Sequence, residues 1–325
     1  MKVSIVIPVY NEADTVATLL QRVWAQPLPQ ADKEVIVVES NSTDGSREIV
    51  AEFVARHAHD ASARIRAIYQ DRPHGKGHAI RQGFAAASGD ILLIQDADLE
   101  YEVADYPDLL RPILEGREAF VLGSRHMGPA GWKIRQFARN GLLAAGMNAG
   151  GVLFRALFNA LYGTRLTDPT SMYKVVRADC LAGLTFKCDR FDFDFELLAK
   201  LIRAGHQPLE IPVSYQSRSF AQGKKIRIFR DPTGWILTIF RCRFAAAQAA
   251  ATPTQAAGAP AQAAAIPTQA AIPTQAAAAP AQAAAAPAQA AASTAQGATT
   301  RTPHSVRRHE TSSPYRASTR RGHSR

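Results

Sequence analysis

Apolar residues change period repeatedly along the first part of the chain. Val3 to Val9 is almost continuously apolar, as in a strand covered on both faces, and Val16, Leu19, Leu20 and Val23 then recur at helical spacing. Asn11 stands where it can cap that helix, and Pro27 and Pro29 end it. Glu34 to Val38 predicts a second strand, followed by Ser42 to Asp44 as cap and first turn of a helix with Ile49, Val50, Phe53 and Val54 on one face. Ile65 to Tyr69 predicts a third strand, His78 to Ala87 a helix, Ile91 to Ile94 a fourth strand, Pro107 to Leu114 a helix and Ala119 to Leu122 a fifth strand. Strands and helices alternating at this spacing imply an α/β fold with a mostly parallel sheet and helices on both faces. Ligands of such sheets bind beyond the carboxyl ends of the strands, where Pro8 to Glu12, Glu39, Arg72 to Gly77 and Asp96 to Glu100 all fall.

The second part has a different character. Ile134 to Tyr162 is helical and amphipathic, with Arg135, Arg139 and Arg155 among apolar residues. Its most apolar window, Leu142 to Tyr162, is interrupted by Asn148, Arg155 and Asn159, so it is expected to lie on a surface or pack in a core and not to cross a membrane. Ser171 to Val176 can return to the sheet, Phe193 to Ala204 predicts a helix and Gln207 to Val213 a strand. Ser217 to Lys225 is a polar, basic loop. Asp231-Pro232 then starts a helix carrying Trp235, Ile236, Ile239, Phe240 and Phe244 near Arg241 and Arg243, either the last core helix or one lying on a membrane surface.

From Ala245 the composition collapses to Ala, Pro, Gln and Thr, with Pro-x-Gln recurring from Pro253 to Pro287 and a basic end from Arg301 to Arg325. Disorder is expected there, since proline at this interval interrupts helix and nothing can bury a core. Three units follow: a folded domain over 1–230, an amphipathic helix over 231–244 and a tail over 245–325. The tail holds seven arginines and one glutamate, so most of the net charge of +10 lies outside the folded part. The clusters Arg307-Arg308 and Arg320-Arg321 suit any polyanion, but with Tyr315 as the sole aromatic beside them nucleic-acid recognition is not expected. Three scattered cysteines and a first residue leading straight into KVSIVIPVY, without a secretory-signal pattern, point to a reducing cytoplasm.

Asp96, Asp98 and Glu100 end the fourth strand. Residues two apart on an extended path point the same way, so the three carboxylates can converge on a hard divalent cation such as Mg2+ or Mn2+. Arg72 to Gly77, RPHGKG, offers small residues and a helix start to an anion.

Taken in order, IPVYNE at 7–12, STDGS at 42–46, the DAD triplet at 96–98 and GSR at 123–125 resemble family 2 glycosyltransferases of the GT-A, Rossmann-like fold. Within that family the likeness is to the dolichyl-phosphate mannose synthase type, which joins a sugar from a nucleotide sugar to a polyprenyl phosphate. The resemblance covers roughly residues 1–230. It implies an inverting, metal-dependent transferase, peripheral at the inner face of the membrane, with a GDP- or UDP-sugar as donor. On the donor side it implies that Pro8, Tyr10 and Glu12 border the nucleotide, that Glu39 contacts base or ribose, and that Lys76 lies in the phosphate loop. Asp96, Asp98 and Glu100 match the metal-binding segment, with Asp98 as the direct ligand. Arg218 and Lys224 match the loop over the diphosphate, and Arg125 and Arg139 the positions receiving the acceptor phosphate. Asp168 is expected to organise the acceptor side, and Glu196 to do likewise or to brace Arg218. The segment Glu39-Ser40-Asn41-Ser42 departs from the family's acidic pair before Gly-Ser, which leaves guanine and uracil both open. Other readings stay open beside this one. They are a family 2 transferase acting on a saccharide or other soluble or cell-envelope acceptor, for which Asp194 or Glu196 would be the general base, a nucleotidyltransferase, and a non-catalytic polyanion-binding module.

Overall fold

The computed structural model describes residues 1–28, 30–60, 63–127, 141–218 and 230–245. The expected disordered tail, together with Arg139 and Lys224, lies outside these residues. Within them the chain runs β1 (Lys2–Val9), α1 (Ala13–Ala25), β2 (Asp32–Glu39), α2 (Ser46–His57), β3 (Arg64–Tyr69), α3 (Lys76–Ala86), β4 (Ile91–Ile94), α4 (Tyr106–Leu114), β5 (Phe120–Ser124), α5 (Gly141–Tyr162), β6 (Lys174–Arg177), α6 (Phe193–Arg203), β7 (Leu209–Pro212) and α7 (Arg230–Phe244). One seven-stranded sheet has the order β3-β2-β1-β4-β6-β5-β7. The strands β1 to β4 run parallel, with Ile5 opposite Val35 on one side and Leu93 on the other. The strand β6 enters antiparallel between β4 and β5, and β7 closes the edge parallel to β5.

Strand β1 sits in the middle of the parallel half, and its Ile5, Val6 and Ile7 are fully buried, as are Ile91, Leu93 and Ile94 of β4. Burial of each such side chain contributes about 1.5–3 kcal/mol. Their carboxyl ends are therefore rigid platforms for whatever follows. Helix α3 packs directly on this strand: a Cβ on Gly83 would lie 2.2 Å from Val6 Cγ1. Gly75, at φ +109, opens the same helix with a backbone that favours glycine, and a Cβ there would meet the Asp189 carbonyl oxygen at 2.3 Å.

The loops after β1 and β2 lock together, which corrects the expected caps. Asn11 does not cap α1; it takes φ 51 and its Oδ1 accepts from the Thr43 N–H at 2.9 Å. The free N–H groups before α1 are met across the sheet instead, with Ser42 Oγ accepting from Asn11, Ser46 Oγ from Glu12 and Asp44 Oδ2 from Ala13. Residue Gly45, at φ 96, precedes α2 in place of a side-chain cap. The STDGS segment thus fixes the entry to the first helix as well as to its own.

Helix α7 packs on α5 and α6, so it belongs to the same body as the sheet. Its Ile239 and Cys242 are buried, Tyr162 donates to the Ile239 carbonyl at 2.7 Å, and Trp235 lies against Phe195 and Phe154. Among the described residues no helix is long and apolar enough to cross a membrane.

Candidate active site

A cavity of about 1380 Å3 opens beyond the carboxyl ends of β1 and β4. That exceeds the roughly 300–1,000 Å3 usual for a single small ligand. One end is lined by Pro8, Tyr10, Glu12, Lys76, Asp96, Asp98, Glu100 and Arg218, the other by Phe154, Leu157, Phe195, Trp235 and Ile236 of α5, α6 and α7, and Arg125 stands on the wall as well. Nine residues singled out in the sequence are thereby brought to one space. Glu39 is not: it is fully buried, its carboxylate accepts from the N–H groups of Asn41 and Ser42 at 3.2 and 2.6 Å, and Arg47 pairs with it. Its charge braces the turn after β2.

The chain does not stay extended through the aspartate triplet. Leu99 takes φ 58 and Asp98 Oδ1 accepts from the Glu100 N–H at 3.1 Å, so the chain turns where a straight row of carboxylates was expected. Each carboxylate meets different partners. Lys76 Nζ lies 3.0 Å from Asp96 and 3.1 Å from Asp194. Arg218 forks onto Glu12 at 2.9 and 3.2 Å, reaches Asp98 at 3.1 Å, and donates its backbone N–H to Glu100 at 2.8 Å. Tyr215 donates to the second Glu100 oxygen at 2.7 Å. No group of three or more His, Cys, Asp or Glu among the described residues is gathered to hold a metal ion in this arrangement.

The donor chemistry nonetheless fits a hard divalent cation. Glu12, Asp96, Asp98, Glu100 and Asp194 border the site against Lys76 and Arg218, an excess of carboxylate oxygen in a buried place. Burial and the neighbouring carboxylates hold Asp96 and Asp98 above the usual carboxylate range despite Lys76 and Arg218. Asp194 Oδ1 is buried without a hydrogen-bond partner among the described residues. Lys76 keeps its charge: burial opposes it, but Asp194 and Asp96 raise it above the ordinary lysine value.

Toward the apolar end, Arg125 and Asp168 form a buried two-pronged pair, with Nε to Oδ2 at 2.7 Å and Nη2 to Oδ1 at 2.8 Å. The Arg125 N–H also donates to Asp168, and Thr170 Oγ1 accepts from Nη2 at 2.6 Å. The guanidinium lies 5.0 Å from the Tyr215 ring centre and 5.9 Å from that of Tyr101. Burial would raise Asp168, yet Arg125 holds it at about 2. Asp168 thus fixes the orientation of the Arg125 guanidinium. Glu196 does not reach Arg218; it accepts from the N–H groups of Lys187 and Cys188 and pairs with Lys200.

The tyrosine walls and Lys174 escaped sequence reasoning. Lys174 is fully buried, donates to the Ser171 carbonyl and stands 3.8 Å from Asp194, so that carboxylate lies between two lysines. A single lysine in the apolar strand MYKVV was the available signal.

A mostly parallel sheet with carboxylates and cations at its switch point, and a cavity with one polar and one apolar end, defines a GT-A-like α/β protein. The chain belongs to glycosyl transferase family 2, whose profile matches residues 4–181. It is 28% identical over 224 residues to an undecaprenyl-phosphate 4-deoxy-4-formamido-L-arabinose transferase of Edwardsiella ictaluri, covering 68% of this chain and 62% of that one. Against a dolichol-phosphate mannosyltransferase of Pyrococcus furiosus it is 25% identical over 228 residues, covering 69% and 59%. The chain therefore spans about three fifths of the length of these curated relatives. The crystal structure of glucosyl-3-phosphoglycerate synthase from Mycobacterium tuberculosis, in complex with Mn2+, UDP and phosphoglyceric acid, shares the fold at a TM-score of 0.54 and 22% identity, over 75% of this chain and 78% of that one.

Proposed function

We propose that the protein transfers a sugar from a nucleotide sugar to a polyprenyl phosphate. The observation that carries this reading is that one cavity has both a polar end, which suits a sugar diphosphate, and an apolar end, which suits a prenyl chain, with Arg125 on its wall. Both relatives described above are named for transfer to such lipid phosphates.

In this reading the nucleotide lies along Pro8, Tyr10 and Glu12, and Lys76 faces the diphosphate from the first turn of α3. Arg218 and Lys224 complete the positive surround. Preorganised cations stabilise the charge that grows on the leaving nucleoside diphosphate. Asp98, with Asp96 and Glu100 beside it, would hold Mg2+ or Mn2+, which when bound adds Lewis-acid neutralisation of the same diphosphate. The acceptor phosphate is received by Arg125 and Arg139, with Asp168 fixing the Arg125 guanidinium. A phosphate is already an anionic nucleophile, so orientation and screening are the protein's task and no strong base is needed. The family's inverting course follows from direct attack on the sugar carbon. Access to the lipid makes the location peripheral, at the inner face of the membrane.

The test is sugar transfer by the purified chain, offered GDP- and UDP-sugars, Mg2+ or Mn2+, and polyprenyl phosphate or none. Lipid-dependent transfer with one donor, reduced about a hundredfold or more by Asp98→Ala, is expected. Donor hydrolysis without lipid transfer would move the acceptor to a saccharide, and full activity of Asp98→Ala would remove the metal assignment.

A further inference from the structure

Helix α5 buries Phe154 and Phe158 in the core, yet it has no exposed charged residue among the described residues. Its polar residues point into the protein: Asn148 is buried, Asn159 bonds both the N–H and the carbonyl of Leu166, and Arg155 donates to the Thr167 carbonyl. Its exposed positions include Ala145, Ala149, Leu153, Ala156 and Ala160, and among the described residues none carries a charge. An amphipathic helix on an aqueous surface carries charged and polar residues on its outward face. Packed against it, α7 buries Thr238, Ile239 and Cys242 and exposes Ile236, Leu237, Phe240 and Phe244, and its Ile236 shares the cavity wall with Leu153 of α5. Leu153, Leu237 and Phe244 are 72%, 65% and 75% exposed. Among the described residues the exposed charges of α7 are Arg241 and Arg243, both positive.

We propose that the face shared by α5 and α7 docks on an anionic lipid bilayer, with Leu153, Leu237, Phe240 and Phe244 at the boundary of headgroups and acyl chains. This rests on the polyprenyl-phosphate reading for its purpose, though not for its physics. Leu153 and Ile236 belong both to this face and to the apolar end of the cavity, so a prenyl chain passes from bilayer to cavity without crossing water. Apolar insertion and basic residues at its border are the two contributions that hold an interfacial helix. A second copy of the chain is the poorer occupant. A two-fold pairing through this face would gather Arg241 and Arg243 of both copies into one interface with no described acidic residue on the exposed faces of α5 and α7 to meet them, and would cover the Leu153 and Ile236 side of the cavity. Attachment along the surface also agrees with the lack of a spanning helix among the described residues.

The experiment is flotation of the full chain with equimolar phosphatidylcholine–phosphatidylglycerol vesicles and with phosphatidylcholine alone. Each is run at low salt and at about 0.5 M, where exposed charges are screened beyond a few ångströms. The chain should prefer the anionic vesicles and keep part of its binding at high salt. Leu237→Glu/Phe244→Glu, which changes two exposed side chains outside the cavity wall, should lower the salt-resistant binding about tenfold or more. The variant should still transfer sugar to a water-soluble short-chain prenyl phosphate, which shows that it is folded. Vesicle binding equal to that of the unaltered chain, or binding abolished altogether by salt, overturns the proposal. So does a wild-type dimer in light scattering that the double variant splits, since the face then joins two copies. Vesicle binding that behaves as expected without transfer to either acceptor sinks the polyprenyl reading and leaves the docking surface standing.

Discussion

Between Glu12 and Asp98 the Arg218 guanidinium supplies positive charge to carboxylates that would otherwise repel one another in a buried place. A divalent cation held at Asp98 would compete with it for carboxylate oxygen. Arg218→Ala is expected to strengthen Mn2+ binding by the donor-free chain at least about fivefold, read from the electron paramagnetic resonance of free Mn2+, while sugar transfer falls. Unchanged Mn2+ affinity would mean that Arg218 and the metal use separate oxygens. Asp168 makes a second residue-scale prediction. Its folded pKa of about 2 lies below the ordinary carboxylate value, so its pairing with Arg125 stabilises fully above about pH 4 and is lost as pH falls toward 2. Asp168→Asn should cost about 3–5 kcal/mol near neutrality, leaving Arg125 buried and unpaired, and its urea midpoint should change less than the wild type's between about pH 4 and 2.5. The types of these residues were legible in the sequence, but their partners were not. Glu39 shows why: an acid at a strand end looks available to a ligand, yet the chain leaving the sheet bares two N–H groups beside it that only this carboxylate reaches. Likewise the turn at Leu99, invisible to a period-two argument, separates the carboxylates that an extended path would align.

At the scale of elements, α3 sets the height of Lys76 over the sheet because Gly83 lets it lie against Val6. Gly83→Ala forces a Cβ into a stiff β-branched side chain and should destabilise the fold by about 1–3 kcal/mol in urea unfolding. Gly83→Ala combined with Val6→Ala should cost less than the two changes summed, by about 0.5 kcal/mol or more. Strict additivity would mean that the helix lifts away without meeting Val6. The strands and helices of the parallel half stand close to where periodicity located them, since each apolar run reports the covering of its own two faces. The direction of β6 was not legible. Lys174–Arg177 sets two valines between two basic residues, a pattern that carries no direction, and the strand enters antiparallel between β4 and β5 after the excursion through α5. Helix α7 shows the same limit, for its pattern allowed either a core or an interfacial helix and the structure gives it a buried face and an exposed apolar one.

For the whole molecule, the cavity and most of the net charge are carried by different stretches of chain. Every described residue of the cavity wall lies at or before Ile236, and helix α7, which closes the apolar end, is complete at Phe244. The stretch after Phe244 contributes seven arginines against one glutamate, with Ala, Pro and Gln between, and has no apolar period to bury. A chain ending at Ala250 is therefore expected to keep its thermal midpoint within about 2 °C, because every core side chain and hydrogen bond among the described residues is kept. Its kcat toward a short-chain prenyl phosphate should be unchanged, while binding to anionic vesicles should weaken at low salt and approach that of the full chain at about 0.5 M, since the lost arginines act through screened attraction. The salt slope separates the two sources of affinity: the tail adds a long-range component that salt removes, and the α5–α7 face a short-range one that it does not. Loss of kcat on the soluble acceptor would instead put residues beyond Ala250 in the site, and an unaltered salt slope would leave the tail's charge without a part in membrane attachment.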